Sequence, residues 1–267
     1  MKSDFSIFRN KVFTAVLFFF LLLLSSCKST RLAQDFDASN SKWTFVQEGL
    51  EKTEGTFEGV RWYCIKTKLN EAEFTPLVLP ETKLSKAQNI TKIAKENKTA
   101  VCVNSTPFAK NGKWLEPVGI VKKDGQIISL PVERYSAIAF ETDSNKIAKK
   151  AVVLTNQKED EIAKYDNVSG GFFRILEKSS IIHFKKIYKP RIVLGTNENG
   201  TEIFFFATNS MSYEQCAQVL LGLGCTDALL MDGGSSTQIC LNKKQLIHIP
   251  FRRKVPTFLG LVKSDSK

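Results

Sequence analysis

Histidine is scarce in this chain: of 267 residues, only His183 and His248 are histidines. A Ser-His-Asp hydrolase would need one of them in the correct place, and a histidine-rich two-metal phosphodiesterase site would need more than two. The sequence also contains no C-x-x-C pair, no Walker loop and no G-x-G-x-x-G turn. These absences argue against a zinc cage, a nucleotide-phosphate site and a dinucleotide site. We therefore predict no cofactor, while a divalent metal ion stays an open alternative.

No apolar run is long enough for a comfortable membrane span, which takes about 20 residues. The run over residues 12–24 follows three basic residues and ends in Leu-Ser-Ser-Cys27. A charged start, a short apolar centre and small residues before a cysteine are typical of a secretory signal, and this ending resembles a bacterial lipobox. We predict a lipoprotein signal peptide over residues 1–26, lipidation of Cys27 and a membrane-anchored protein of the cell envelope. The alternatives are a simple membrane anchor and a cleaved signal without lipid.

Acidic residues are outnumbered, 27 against 38 Lys and Arg, which gives a net charge of +11. Removal of residues 1–26 takes away three basic residues and Asp4, and so lowers the charge by two to +9. A basic surface on an exported protein predicts anionic partners such as phosphorylated glycans or lipid headgroups, and the alternative is that the lysines are scattered over solvated faces. Nucleic acid is not predicted as a partner, because the protein is expected outside the cytoplasm.

Five cysteines remain if Cys27 carries a lipid. Most lie in apolar runs and are interpreted as small buried hydrophobic residues. An oxidising compartment would permit a disulfide, but an odd number leaves at least one free thiol.

Short strands and hairpins dominate the remaining pattern. Residues 27–42 are polar and read as a tether, and residues 43–267 read as a single domain. Asp124-Gly125 lies between two apolar runs and predicts a hairpin turn, whereas S-x-x-Q boxes at Ser85 and Ser212 predict the starts of two helices. The prediction is an α+β fold, with one large, mainly antiparallel mixed sheet and a few helices packed against it.

The most informative stretch is a short apolar strand, residues 228–231, that ends abruptly at Asp232. Gly233, Gly234 and Ser235 follow, and glycines there permit a tight turn and a close approach of a ligand to the backbone. Freed amides and hydroxyls can donate hydrogen bonds to an oxyanion. The sequence therefore predicts a site at this strand end. The alternative is an ordinary turn with an aspartate cap.

Three other positions also lie next to strands. Asn104 follows a buried strand over residues 100–103, although an asparagine there is often only a turn residue. Gly171 belongs to a double glycine, which indicates either a bulge or a contact between a ligand and the backbone. Arg191 begins a buried strand, where a guanidinium needs a partner, either Asp232 or a substrate phosphate. The alternative for Arg191 is a surface position on an edge strand.

Together these motifs resemble the phosphodiester glycosidase family. The resemblance spans residues 100–262 and rests on the helix that begins at Ser212, on Ala-Leu-Leu-Met-Asp232-Gly-Gly-Ser-Ser, and on Pro-Arg191-Ile-Val-Leu-Gly. The family also has an arginine before its last strand, for which Arg253 is the better candidate and Arg252 the other. The chain departs from the family at Ser105, at Phe172 and at Ser235, the last of which replaces a third glycine.

The resemblance implies a hydrolase that cleaves a sugar from a sugar-1-phosphodiester. It makes Asp232 the catalytic carboxylate, with Arg191 and Arg253 gripping phosphate, and Gly233, Gly234 and Ser235 offering hydrogen-bond donors. It makes Asn104 and Gly171 substrate-binding residues, and its expected substrates are phosphorylated glycans of the envelope or the extracellular space. The alternatives are a non-catalytic glycan- or phosphate-binding lipoprotein on the same scaffold, and a structural envelope protein in which Arg191 and Asp232 form a buried ion pair.

Overall fold

A computed structural model describes residues 36–264 of the chain. The predicted signal peptide, the lipidation of Cys27 and most of the predicted tether lie outside the described residues. No helix within residues 36–264 combines the length and the apolar character that crossing a bilayer requires.

The described residues form three α-helices: α1 (Ile90–Glu96), α2 (Glu159–Ala163) and α3 (Tyr213–Gly222). They also form twenty strands: β1 (Thr44–Gln47), β2 (Leu50–Phe57), β3 (Val60–Lys68), β4 (Phe74–Leu79), β5 (Thr99–Asn104), β6 (Phe108–Asn111), β7 (Trp114–Pro117), β8 (Val121–Lys123), β9 (Gln126–Ser129), β10 (Ala137–Thr142), β11 (Ala148–Leu154), β12 (Asn167–Gly170), β13 (Arg174–Glu177), β14 (Ser180–Ile181), β15 (Lys189–Thr196), β16 (Glu202–Met211), β17 (Asp227–Leu230), β18 (Ile239–Leu241), β19 (Lys244–Gln245) and β20 (Phe258–Lys263).

The strands form one large sheet and three smaller ones, and every strand pairing within the described residues is antiparallel. The large sheet has the order β1-β2-β3-β16-β15-β17-β13-β14. Two five-stranded sheets have the orders β11-β10-β12-β8-β9 and β19-β18-β5-β20-β4, and β6 pairs only with β7.

The large sheet is buried on both faces in its centre. One face contributes Phe205 and Ile192 to a core that also contains Ile138 and Val101 from the two five-stranded sheets. The other face packs Phe204 and other side chains against α3. Burial on both faces explains the continuous apolar run in β16, because neither set of alternating side chains can face water.

The predicted fold class needs a correction: strands hold 47% and helices 12% of the described residues, so the fold is richer in β-structure than α+β implies. The prediction of one large antiparallel sheet is approximately right, but it merged the two five-stranded sheets with it. Phe36, inside the stretch predicted as a tether, packs its ring edge-on against Phe57 and Trp62, at 5.5 and 5.8 Å between ring centroids.

Local predictions can be compared with individual elements. The hairpin at Asp124-Gly125 is confirmed, with φ of 48° and 81° at the two turn residues. The capping box at Ser212 is confirmed and opens α3. The helix start at Ser85 is wrong: Asn89 caps α1, and Ser85 instead forms an isolated bridge with Leu115. All five cysteines in the described residues are buried free thiols.

Candidate active site

The candidate site lies where the large sheet meets the sheet that contains β5. The chain leaves β17 at Leu230, the N–H of Met231 still donates to the carbonyl of Ile192, and the N–H of Asp232 donates to the carbonyl of Ser105 at 2.9 Å. Asp232 thus follows a strand of the large sheet, while its backbone N–H is bonded to the residue that follows β5 in the other sheet. Asp232 is only 8% exposed.

Asn104 fixes the turn that follows Asp232. Its Nδ2 donates to the carbonyl of Asp232 at 2.7 Å, and its Oδ1 accepts from the N–H of Gln238 at 2.8 Å. The side chain is fully buried. Its contacts hold the two ends of the glycine turn, so the observed role of Asn104 is to position Asp232.

Only one position of the turn requires glycine for its backbone conformation. Gly234 has φ of +62°, a left-handed conformation, whereas the φ of Ser235 is not positive. A Cβ on Gly233 would lie 2.9 Å from the carbonyl oxygen of Pro190, so that glycine is needed for close packing against β15. Ser235 therefore causes no backbone strain where the family has its third glycine.

Arg253 brings positive charge to the carboxylate. Its Nη2 lies 3.5 Å from Oδ2 of Asp232, and its Nε donates to Oγ of Ser236 at 2.7 Å. The guanidinium also lies over the ring of Phe108, 4.5 Å from the centroid, and the Arg253 side chain is 49% exposed. An arginine that touches the carboxylate and still reaches solvent is suitable for binding an incoming anion.

The pKa of Asp232 is raised above its ordinary value, and burial is the largest cause. Three effects oppose burial: a hydrogen bond from Ser236, the charge and hydrogen bond of Arg253, and the N–H of Gly233, which donates to Oδ1 at 3.0 Å. The carboxylate is thus held in a poorly hydrated environment in which its charge is only partly compensated.

Arg191 is buried near the turn but is not paired with Asp232. Its Nη2 donates to the carbonyl of Ile187 at 2.8 Å and its Nε to the carbonyl of Met211 at 3.4 Å. The guanidinium lies 4.1 Å from the ring centroid of Tyr213, and no carboxylate within residues 36–264 forms an ion pair with it. Of the two partners left open by the sequence, Asp232 is therefore excluded, and the alternative of a surface position on an edge strand is wrong.

Gly171 serves packing in this structure. Its N–H donates to the carbonyl of Ser136 at 2.8 Å, and a Cβ there would lie 2.6 Å from the carbonyl oxygen of Leu230. The backbone of β17 occupies this space, so Gly171 supports the strand that precedes Asp232.

Several polar groups beside the site were not among the predicted site residues. Ser105 Oγ, Thr237 Oγ1 and Gln238 Oε1 are buried without a hydrogen-bond partner among the described residues. Ser236 and Gln238 also bind Arg253 directly, through its Nε and its carbonyl oxygen. The run of hydroxyl and amide residues after the glycine turn was the available signal. Within residues 36–264, no group of three or more His, Cys, Asp and Glu side chains could hold a metal ion.

Solved structures share this fold at low sequence identity. A hypothetical protein from Synechocystis is 15% identical with a TM-score of 0.68, over 85% of this chain and 64% of that one. The catalytic domain of zebrafish N-acetylglucosamine-1-phosphodiester alpha-N-acetylglucosaminidase, auto-inhibited by its pro-peptide, is 15% identical with a TM-score of 0.62, over 86% of this chain and 87% of that one. This chain thus spans less than two thirds of the Synechocystis protein. No curated protein sequence matches the chain at a significant level.

The family comparison agrees with the position of the site. The family model described as phosphodiester glycosidase matches residues 88–262, a range that contains Asn104, Arg191, Asp232 and Arg253. Because that match covers well over half of the chain, the protein belongs to the phosphodiester glycosidase family.

Proposed function

We propose that this protein is a hydrolase that cleaves a sugar from a sugar-1-phosphodiester. The observation that carries the proposal is the buried carboxylate of Asp232, which is held between the N–H of Gly233 and the guanidinium of Arg253. Family membership and the fold shared with a glycosidase acting on N-acetylglucosamine-1-phosphodiesters support the same reaction class.

The reaction needs a negative group at the sugar and positive groups at the phosphate. Water adds its oxygen to the anomeric carbon, the bond from that carbon to the bridging oxygen breaks, and the electron pair leaves with the phosphate. The products are the free sugar, a phosphate monoester and one proton. The carboxylate of Asp232 stabilises or attacks the cationic anomeric centre, as carboxylates do in glycoside hydrolysis.

Arg253 is the first candidate to hold the leaving phosphate, because it is next to Asp232 and half exposed. The leaving group is already an anion, so it needs cationic and amide donors more than it needs a proton. Gly234 and Ser235 begin a short 3-10 turn, where backbone N–H groups have no partner within the turn. The buried charge of Arg191, which has no carboxylate partner within residues 36–264, is a second cation for the same phosphate.

A non-catalytic glycan- or phosphate-binding protein is the second candidate. The observation that favours it is the engagement of both polar ends of Asn104 with the backbone, which leaves the predicted sugar contact of that residue unsupported. The unstrained conformation of Ser235 favours catalysis, because it removes the reason to expect a distorted turn.

The deciding experiment measures the release of sugar from a panel of sugar-1-phosphodiesters by the wild-type protein and by Asp232→Asn. We expect the substitution to lower kcat by about 10²–10⁴-fold. Asp124→Asn is the matched control, since Asp124 lies in an exposed turn that accepts asparagine. Turnover retained by Asp232→Asn would refute the role of the carboxylate. Binding without any turnover by the wild-type protein would establish the second candidate.

We also propose that the protein acts on phosphorylated glycans of the cell envelope, to which a lipid on Cys27 anchors it. This proposal rests on the lipobox-like end of the signal sequence. Cys27→Ala should move the protein from the membrane fraction to the soluble fraction; unchanged fractionation and an unmodified Cys27 in the wild-type protein would contradict it.

A further inference from the structure

The segment that carries Arg253 has an unusual charge. No aspartate or glutamate occurs from residue 233 to residue 264, although six lysines and arginines do. Five of the six fall within residues 242–254, which we call the basic arm. The arm includes β19 and the loop that leads from it towards β20. Such a segment attracts anions wherever its charges are not neutralised by the fold.

The fold leaves most of these charges uncompensated. Lys243, Lys244 and Lys254 are exposed and form no ion pair among the described residues. Arg252 bonds to the neutral side chain of Gln245. Some lysines elsewhere do have carboxylate partners, as Lys68 does with two glutamates. When partners are counted over residues 36–264, Arg253 is the one arm cation that contacts a carboxylate, that of Asp232.

The tip of the arm is apolar. Phe251 is 97% exposed, and its φ of +57° lies in the left-handed region. An open hollow of about 590 Å³ lies beside it, lined in part by Leu246, Ile247 and Ile249. A fully exposed phenylalanine among uncompensated cations combines the two features of an interfacial anchor, apolar insertion and attraction to anionic headgroups.

We propose that the basic arm is a docking surface for an anionic lipid bilayer, with Phe251 entering the headgroup region and the arm cations facing the lipid phosphates. A soluble polyanion would satisfy the charges but would leave the phenylalanine in water. A neutral membrane would bury the ring of Phe251 but would not neutralise the charges of the arm. Only a bilayer with anionic headgroups matches both halves of this surface.

Docking in this way has a consequence for the substrate, and that consequence rests on the proposed function. The N–H of Arg253 donates to the carbonyl of Ser235 at 2.9 Å, so the arm is joined directly to the glycine turn of the site. With the arm on the membrane, Asp232 lies near the level of the headgroups. The substrate class is then a sugar-1-phosphodiester attached to the bilayer surface.

The test measures trypsin cleavage within the arm, after Arg252, Arg253 and Lys254, on the full chain reconstituted into vesicles. Cleavage after the exposed Lys158 serves as the internal control. On phosphatidylglycerol vesicles we expect arm cleavage to be slower than on phosphatidylcholine vesicles by about tenfold or more, because each basic residue near an anionic surface contributes severalfold. Cleavage after Lys158 should be the same on both. No turnover is needed, so failure here leaves the proposed hydrolysis untouched.

Variants separate docking from general stability. Lys244→Ala, which leaves the three measured cleavage sites in place, should reduce the protection on anionic vesicles about fivefold, and Phe251→Ser should reduce it as well. Lys95→Ala and Phe45→Ser are the matched controls, since Lys95 is an exposed lysine and Phe45 is an aromatic that is 72% exposed on β1. Both controls should retain full protection.

Three outcomes would overturn the proposal. The first is equal arm cleavage on anionic and neutral vesicles. The second is an equal effect of Phe251→Ser and Phe45→Ser. The third is full protection by soluble polyphosphate in place of anionic lipid, which would identify the arm as a polyanion-binding surface.

Discussion

Burial of the Asp232 carboxylate destabilises the folded protein, and the size of this destabilisation depends on pH. Its pKa is higher in the folded protein than in an unfolded chain, because burial outweighs the hydrogen bonds and the charge of Arg253. The folded state therefore binds this proton more readily than the unfolded state does. The resulting destabilisation is absent below the ordinary pKa of the carboxyl, grows as pH rises and is complete above the raised pKa.

We therefore expect Asp232→Asn to be more stable than the wild-type protein at neutral pH, with a difference that disappears as the pH falls below the ordinary carboxyl pKa. The reason is that asparagine carries no charge to be desolvated. Urea unfolding over a pH series measures the difference. An Asp232→Asn variant that is less stable at neutral pH would mean that Arg253 and the turn amides stabilise the carboxylate more than burial destabilises it.

The glycine turn offers a second prediction about single residues. Gly234→Ala should lower the free energy of unfolding by about 1–2 kcal/mol, because a Cβ is unfavourable at φ of +62°. Ser235→Gly should change it by less than about 1 kcal/mol, since Ser235 is not left-handed. Thermal unfolding of both variants makes the comparison. Equal losses would show that the third position of the turn is as restricted as the second.

At the scale of elements, the two S-x-x-Q boxes of the chain form different structures. Ser212 accepts from the N–H of Gln215 and completes a capping box at the start of α3. Ser85, three residues before Gln88, lies in an isolated bridge, and its hydroxyl is buried without a partner among the described residues. The pattern alone cannot distinguish them, because bridges to Leu115 and Val255 hold Ser85 and Gln88 from distant parts of the chain.

Alanine substitution should reveal this difference. Ser212→Ala should destabilise the protein by about 1 kcal/mol through the lost cap. Ser85→Ala should be neutral or slightly stabilising, because it removes a buried hydroxyl that makes no hydrogen bond. Urea midpoints of the two variants decide the matter, and equal destabilisation would mean that Ser85 contributes a bond the structure does not contain.

The same contrast explains how much of the fold the sequence predicts. Turns and caps with local chemistry, such as Asp124-Gly125 and Ser212, were predicted correctly. Strand β2 was not, because its alternating charged and hydroxyl residues contain little of the β-branched and aromatic character of strands. The division into separate sheets depends on pairings such as β5 with β18 and β20, which no local pattern specifies.

The parts of the candidate site that follow from a local strand end were predicted. The parts that depend on contacts between residues far apart in the sequence were missed. The strand before Asp232 is a local feature and was identified. The position of Asn104 beside Asp232 was expected from the family resemblance, but its use as a clamp on the turn was not. The partners of Arg191 are two carbonyl groups and the face of Tyr213. Every residue has a backbone carbonyl, so the sequence does not indicate which of them will accept a hydrogen bond.

At the scale of the whole molecule, the site is a product of two sheets meeting. Asp232 follows a strand of the large sheet, whereas Asn104 ends a strand that pairs with β18 and β20. Arg253 arrives on the loop that precedes β20. Neither sheet alone could bring the carboxylate, its clamp and its cation together.

The hydrogen bond from Asn104 to the carbonyl of Asp232 joins positions 128 apart in the chain. Contacts of such long range form slowly, because chain entropy must be lost before they return any stabilisation. On refolding from urea, turnover should therefore recover later than the far-ultraviolet circular dichroism signal; simultaneous recovery would contradict this. A chain halted before that last closure would look structured and do no chemistry, which makes enzymatic activity the strictest reporter of complete folding.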